Sequence, residues 1–147
     1  MEHVVKLARR VLIPAALASI AVTASAQAQA QPLPADSMAI GRRFIAWLYA
    51  GQTDSLWAHT ADATKTQMGS KDRFTQMLLD LTSRAGTEKS VVEEKFITRN
   101  GSRQYWREAN FSTLGEPVVI RLVMERDGKI SGFGVSPKSS APAPDPK

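Results

Sequence analysis

The sequence contains no cysteine and very little histidine. None of its 147 residues is a cysteine, and His59 is the only histidine beyond position 3. The lack of cysteine excludes a disulfide-stapled miniprotein and a zinc site built on thiolates. A single imidazole with scattered carboxylates is also a poor basis for a metal site, which needs three or four convergent ligands. No phosphate-binding loop or dinucleotide-binding glycine motif is present. We therefore predict no metal and no cofactor.

Residues 1–26 are predicted to be a secretory signal peptide. Basic residues precede an uncharged, mostly apolar run over 11–22, and small residues follow it. This order is typical of a cleavable export signal, and the run is shorter than the ~20 apolar residues that a membrane-spanning helix needs. Cleavage is expected after Ala26, with Ala28 and Ala30 as alternatives, and an uncleaved anchor is the other interpretation. The mature protein is predicted to be periplasmic or secreted and to meet a membrane only during export.

The charge gives little support for a nucleic-acid partner. The formal net charge is +5, but three basic residues and one acidic residue belong to the predicted signal peptide. Arg99, Arg103 and Arg107 are interleaved with Tyr105 and Trp106, a pattern that could stack single-stranded nucleic acid. Export would separate the protein from such a partner, so we predict that it binds no nucleic acid.

The first half of the mature chain has helical periodicity. Ile40, Phe44, Trp47 and Leu48 recur at the spacing of one apolar helix face, after a possible cap at Asp36 or Ser37. A second short helix is expected from position 53 or 54 to about 60, and a further turn from about 62 to 69. The last helix is predicted between a Ser70 cap and Gly86.

After Gly86 the apolar period changes from that of a helix to that of a strand. Strands are predicted over 90–98, 103–112, 118–126 and 129–135, with hairpin turns at Asn100-Gly101 and Asp127-Gly128. Alternation places two sets of side chains toward the helices. These sets are Tyr105, Arg107, Ala109 and Phe111, and Val118, Ile120, Leu122 and Met124.

The sequence therefore predicts one α+β domain at residues 36–136, in which N-terminal helices pack on a four-stranded antiparallel sheet. Residues 27–35 are polar and contain proline, and we expect a flexible lead-in there. Residues 137–147 are rich in Pro, Ala and Ser, so we expect a disordered tail.

Several of these segments resemble one known superfamily. Residues 44–51, Phe-Ile-Ala-Trp-Leu-Tyr-Ala-Gly, are followed by Trp57, the helix at 74–86 and a closing hairpin at 127–133. Together they resemble the nuclear transport factor 2-like (SnoaL-like) superfamily, and within it small exported modules of the domain of unknown function 3887 type. The resemblance implies a cystatin-like cone, with helices across a curved sheet and an apolar pocket at the open end. Members include isomerases, dehydratases and cyclases, and also modules that only bind or dimerise, so fold alone does not decide function.

Few residues could support catalysis. His59 is the only candidate imidazole, and Asp62 lies one helical turn further on, where it could orient a general base. Tyr105 could donate a hydrogen bond to a developing oxyanion. The alternative is that His59 and Asp62 only terminate and cap neighbouring helices.

Arg107 should point toward the helices, where a guanidinium needs a partner. That partner could be a carboxylate on a helix or an anionic ligand. If the cone is hollow, its pocket should be lined by aromatic, aliphatic and basic side chains from helices and strands. The predicted lining residues are Trp47, Trp57, Tyr105, Arg107, Phe111, Leu122 and Met124.

Trp106 falls on the face of the sheet opposite Tyr105. An exposed tryptophan there would favour a homodimer through the sheet face. Our interpretation is an exported non-enzymatic module that binds a small apolar, amphipathic or anionic ligand or a partner envelope protein. The alternatives are a cofactor-independent isomerase, dehydratase or cyclase and a pure dimerisation domain.

Overall fold

The computed structural model describes residues 35–146. The predicted signal peptide and residues 27–34 of the predicted lead-in lie outside the described residues, so export stays a prediction. Within the described range, every helix is too short or too polar to cross a lipid bilayer.

Four helices occupy the first half of the described chain, as the periodicity predicts. They are α1 (Ser37–Tyr49), α2 (Thr53–Ala58), α3 (Asp62–Met68) and α4 (Lys71–Ala85). The Ser70 hydroxyl accepts a hydrogen bond from the Arg73 backbone N–H at 3.3 Å and caps α4. Asp36 precedes α1 but makes no side-chain cap, and only its carbonyl bonds Ile40. Gly86 follows α4 with φ of 74°, a left-handed conformation that costs glycine little.

The second half is an antiparallel meander of four strands. They are β1 (Glu88–Arg99), β2 (Ser102–Phe111), β3 (Val118–Met124) and β4 (Ile130–Pro137), in the order β1-β2-β3-β4. Asn100 and Gly101 both have positive φ, 52° and 71°, as a two-residue hairpin of the predicted type requires. β1 begins earlier than predicted and carries two register shifts, between Glu88 and Ser90 and between Val91 and Glu93. The α+β class and the four-stranded antiparallel sheet are confirmed.

The helices pack on the face of the sheet that the alternation predicts. Tyr105 and Leu122 are fully buried there, together with Leu56 of α2. Helix and sheet approach each other closely at Gly41, where a Cβ atom would lie 2.5 Å from the Tyr105 ring. Glycine at this position of α1 therefore lets the helix rest directly on β2.

The opposite face of the sheet, hereafter the outer face, carries a smaller apolar cluster. Ile97, Trp106 and Val119 form it, and Ala141 from beyond β4 packs against it. Trp106 is only 4% exposed. The expectation of an exposed tryptophan is therefore not met, because residues after β4 cover it.

The segment expected to be disordered is placed on the sheet instead. Lys138–Ser140 form a short 3-10 helix, and the Lys138 ammonium pairs with Glu108. Further on, the Asp145 carboxylate accepts hydrogen bonds from the backbone N–H groups of Asn100 and Gly101, at 3.0 and 3.2 Å. Polar contacts near both ends of the tail therefore hold it on the sheet.

The junction between α2 and α3 joins the free side of β4. The Ile130 backbone N–H donates to the His59 carbonyl, and the Ala61 N–H donates to the Ile130 carbonyl, each at 2.9 Å. These bonds bring His59 beside the turn between β3 and β4, although the two segments are far apart in sequence.

Candidate functional site

Side chains fill the space between helices and sheet where a ligand pocket was predicted. Tyr105 and Leu122 are fully buried, and Phe111 and Met124 are 7% and 5% exposed. A cavity beside Phe111, between α1, α4 and the sheet, has a volume of about 20 Å³. That is room for about one water molecule. The predicted strand residues of the pocket therefore serve here as core.

Arg107 is the centre of a polar cluster at the margin of this core. Its Nε and Nη2 atoms contact the two carboxylate oxygens of Glu88 at 3.0 and 2.6 Å. Its Nη1 atom contacts Glu94 at 2.8 Å. The predicted partner of Arg107 is thus a pair of carboxylates on β1, not a helix residue. All three side chains are 12–15% exposed.

Two phenols and a second arginine complete this cluster. The Tyr49 hydroxyl donates to Glu88 at 2.6 Å, and the Tyr105 hydroxyl donates to Glu94. Arg42 of α1 bonds the other oxygen of Glu94 at 2.7 Å. The cluster satisfies its own donors and acceptors, so it is a structural clamp between α1, β1 and β2.

The cluster shifts the pKa values of its members in opposite directions. Burial by itself would raise the pKa of Glu88, but hydrogen bonds from Arg107 and Tyr49 outweigh it and lower that pKa. The pKa of Glu94 is lowered in the same way, with Tyr105 and Arg42 as donors. Burial and the hydrogen bond to Glu94 raise the pKa of Tyr105, which disfavours a phenolate there.

The three predicted catalytic candidates are not brought together. His59 Nδ1 lies 2.9 Å from the Ser55 carbonyl oxygen, so this nitrogen is the donor. The Asp62 carboxylate instead faces Lys65 at 3.4 Å and Lys129 at 3.6 Å, and both cations lower its pKa. Tyr105 lies in the core with its hydroxyl on Glu94.

His59 lies beside Trp47 instead. The centroids of the two rings are 4.4 Å apart, and their planes make an angle of 46°. Trp47 is partly buried on α1, and His59 is exposed at the end of α2. Trp57, by contrast, packs against Phe74 of α4 at 5.5 Å, away from this pair.

An open cleft of about 370 Å³ extends from this ring pair. It lies between α1, the end of α2 and the turn between β3 and β4. Its lining residues are Asp36, Ile40, Arg43, Phe44, Trp47, Ala58, His59, Asp127, Gly128, Lys129 and Ile130. One wall is apolar and aromatic, while the rim carries two cations and two carboxylates. We call this the Trp47 cleft.

The sequence singles out Trp47 and His59 as candidate site residues, but it does not predict that they lie side by side. Trp47 is predicted from helical spacing, and His59 stands out as the only available imidazole. Their contact depends on the backbone bonds of His59 and Ala61 to Ile130, which no periodicity reveals.

The comparisons with known proteins give no relative: the chain matches no family model, no curated protein and no solved structure. Within residues 35–146, no three His, Asp or Glu side chains converge so that they could hold a metal ion. The chemistry of the Trp47 cleft must therefore be inferred from its geometry.

Proposed function

We propose that the protein is a binding module whose small amphipathic ligand occupies the Trp47 cleft. The observation that carries this proposal is the Trp47–His59 ring pair on the wall of a cleft of about 370 Å³. Ligand sites are usually clefts of roughly 300–1,000 Å³ with aromatic walls and a few polar groups. The site lies at one end of the helix layer and not inside the fold.

The chemistry of the cleft suggests the ligand's character. Ile40 and Trp47, which are both partly buried, offer an apolar surface to a ring or short alkyl chain. Because Nδ1 of His59 donates to a carbonyl, Nε2 in the neutral ring is left as an acceptor. Arg43 and Lys129 on the rim suit an anionic or strongly polar end group.

Export and family membership belong to the same proposal. The signal peptide predicted at 1–26 supports a periplasmic or secreted binding role. The resemblance to the nuclear transport factor 2-like superfamily supports a binding module, although the site proposed here is not the interior pocket which that resemblance implies.

A fluorescent aromatic anion tests the cleft directly. Anilinonaphthalene sulfonate combines an apolar ring system with one anionic group, and its fluorescence rises in apolar surroundings. We expect one molecule to bind per chain and to quench Trp47. The A58W variant should fill the cleft, because Ala58 lines it at the end of α2. Binding should weaken about tenfold or more, which corresponds to a loss of about 1.4 kcal/mol.

The matched control is A46W. Ala46 is an exposed alanine of α1 that does not line the cleft, so this variant should bind the dye like the unaltered protein. Equal binding by the A58W variant would contradict the proposal. Native mass spectrometry of protein isolated from the cell envelope then identifies the natural ligand as added mass that A46W retains and A58W loses.

A further inference from the structure

Unpaired polar groups gather on the outer face of the sheet. Among residues 35–146, four buried side-chain atoms have no hydrogen-bond partner. They are Gln104 Oε1, Trp106 Nε1, Arg121 Nε and Ser136 Oγ. The register pairs Trp106 with Arg121, Gln104 with Val123 and Ser136 with Val119, so all four side chains lie on the outer face. Buried polar groups normally have partners, and four exceptions on one face require an explanation.

Arg121 is the charged member of this group. Its guanidinium lies over Gly134 of β4, where a Cβ atom would be 2.6 Å from Nη2 and 3.2 Å from Cζ. Glycine in the middle of a strand weakens it and often marks a close approach of another group. Gly134 therefore provides the space in which the guanidinium rests.

Arg107 on the neighbouring strand shows what Arg121 lacks. Arg107, on the helix-facing side, holds two carboxylates in ion pairs below 3 Å. On the outer face, the described carboxylates Glu93 and Glu108 pair with Lys95 and Lys138 instead. Burial, followed by the charge of Arg99, lowers the pKa of Arg121, as expected for a cation without a counter-ion.

The unpaired groups share one chemistry. Arg121 Nε and Trp106 Nε1 are obligatory N–H donors, and the Ser136 hydroxyl can donate as well. The Gln104 amide can present either its oxygen or its NH₂ group, since the two are assigned from their surroundings. Such a set is best satisfied by a group with several acceptor oxygens and negative charge.

We propose that the outer face binds the carboxylate or phosphate group of a small ligand, with the Arg121 guanidinium as the anchor. Trp106 and Ser136 supply further hydrogen bonds from β2 and β4. Arg121 is half-buried, whereas the tail segment covers Trp106. This site shares no residue with the Trp47 cleft and does not depend on the function proposed for it.

Proton–nitrogen correlation NMR of the purified protein tests this site, because it observes the N–H groups that are proposed to donate to the anion. The Trp106 indole and Arg121 Nε–H signals are followed during separate titrations with inorganic phosphate and with acetate, at constant ionic strength maintained with sodium chloride. We expect saturable shifts of both signals with at least one of the two anions. The stronger anion identifies the ligand class, phosphate or carboxylate.

Two variants of equal net charge distinguish a specific anion site from non-specific electrostatic attraction. R121Q removes the anchor and should abolish the shift of the Trp106 indole signal. R126Q removes an exposed cation of the turn after β3 and should leave the shift unchanged. If R121Q does not fold, R121K keeps the charge without the Nε–H donor and should weaken binding about tenfold. Absence of saturable shifts with both anions overturns the proposal, as does an undiminished Trp106 shift in R121Q or R121K.

Discussion

Replacing Arg107 with methionine removes the cation that two carboxylates of β1 share. The guanidinium makes three charge-assisted contacts, at 3.0 and 2.6 Å to Glu88 and at 2.8 Å to Glu94. Each such bond contributes about 1.5–3 kcal/mol. Glu88 keeps its hydrogen bond from Tyr49, and Glu94 keeps two other donors, so part of the stabilisation by the cluster is retained. Breaking a buried pair costs about 3–5 kcal/mol, and we expect a loss of about 3–4 kcal/mol in the free energy of unfolding at neutral pH.

The pH dependence distinguishes this mechanism from simple loss of packing. The lowered pKa values of Glu88 and Glu94 mean that their contribution is fully present above the unfolded pKa. It is lost as the pH falls through their folded values. Without Arg107, less opposes the effect of burial, which raises the pKa values of these carboxyls. Protonating them therefore reduces the destabilisation of the variant. The difference between the two proteins should therefore be largest near pH 7 and should shrink as the pH falls below about 4.3, the ordinary value for glutamate.

Urea unfolding followed by circular dichroism at several pH values between about 2 and 8 measures this difference. R42M is the control, because Arg42 bonds the same Glu94 but is 61% exposed. Its loss should cost about 1 kcal/mol or less. A loss in the R107M variant that stays constant across the pH range would refute the electrostatic reasoning and leave only packing.

Two further substitutions test the contacts that fix the helices and the tail. G41A should destabilise the protein by about 1–3 kcal/mol, because its Cβ would meet a fully buried tyrosine ring. The control G115A should change the free energy of unfolding by no more than about 0.5 kcal/mol, since nothing lies within 4 Å of a Cβ at that position. Equal urea midpoints for the two variants would contradict this packing. D145A should speed hydrogen exchange of the Asn100 and Gly101 amides by about fivefold to tenfold, from the loss of about 1 kcal/mol of bonding, and unchanged exchange would show that the tail is not anchored there.

The fold could be predicted from the sequence because its signals are local. The Ser70 cap and the glycines that follow helices mark helix ends, and strict alternation assigns the strand faces. The Asn100-Gly101 turn even fixes the register of the first hairpin, and counting back from it pairs Glu94 with Arg107. That ion pair was therefore within reach of sequence reasoning. Glu88 was not, because two register shifts in β1 separate it from simple counting.

The candidate sites depend on contacts that no local pattern encodes. Trp106 was expected to be exposed because its strand face is polar, but the tail that covers it is a Pro- and Ala-rich segment with no periodicity. The hollow interior expected from the family resemblance depends on side-chain volumes, and here Tyr105, Leu122 and Leu56 are fully buried between the helices and the sheet. The glycines of β4 predict a close approach, but only the structure shows that Arg121 makes it.

The two register shifts of β1 also bear on how the protein avoids aggregation. β1 and β4 are the edges of the sheet, and an open edge is a template for pairing with another chain. Shifts between Glu88 and Ser90 and between Val91 and Glu93 interrupt the ladder where exposed valines would otherwise invite a partner strand. At the other edge, the first residue of β4 is already bonded to the junction of α2 and α3. The first residues of β1 and of β4 are therefore poor templates for pairing with another chain.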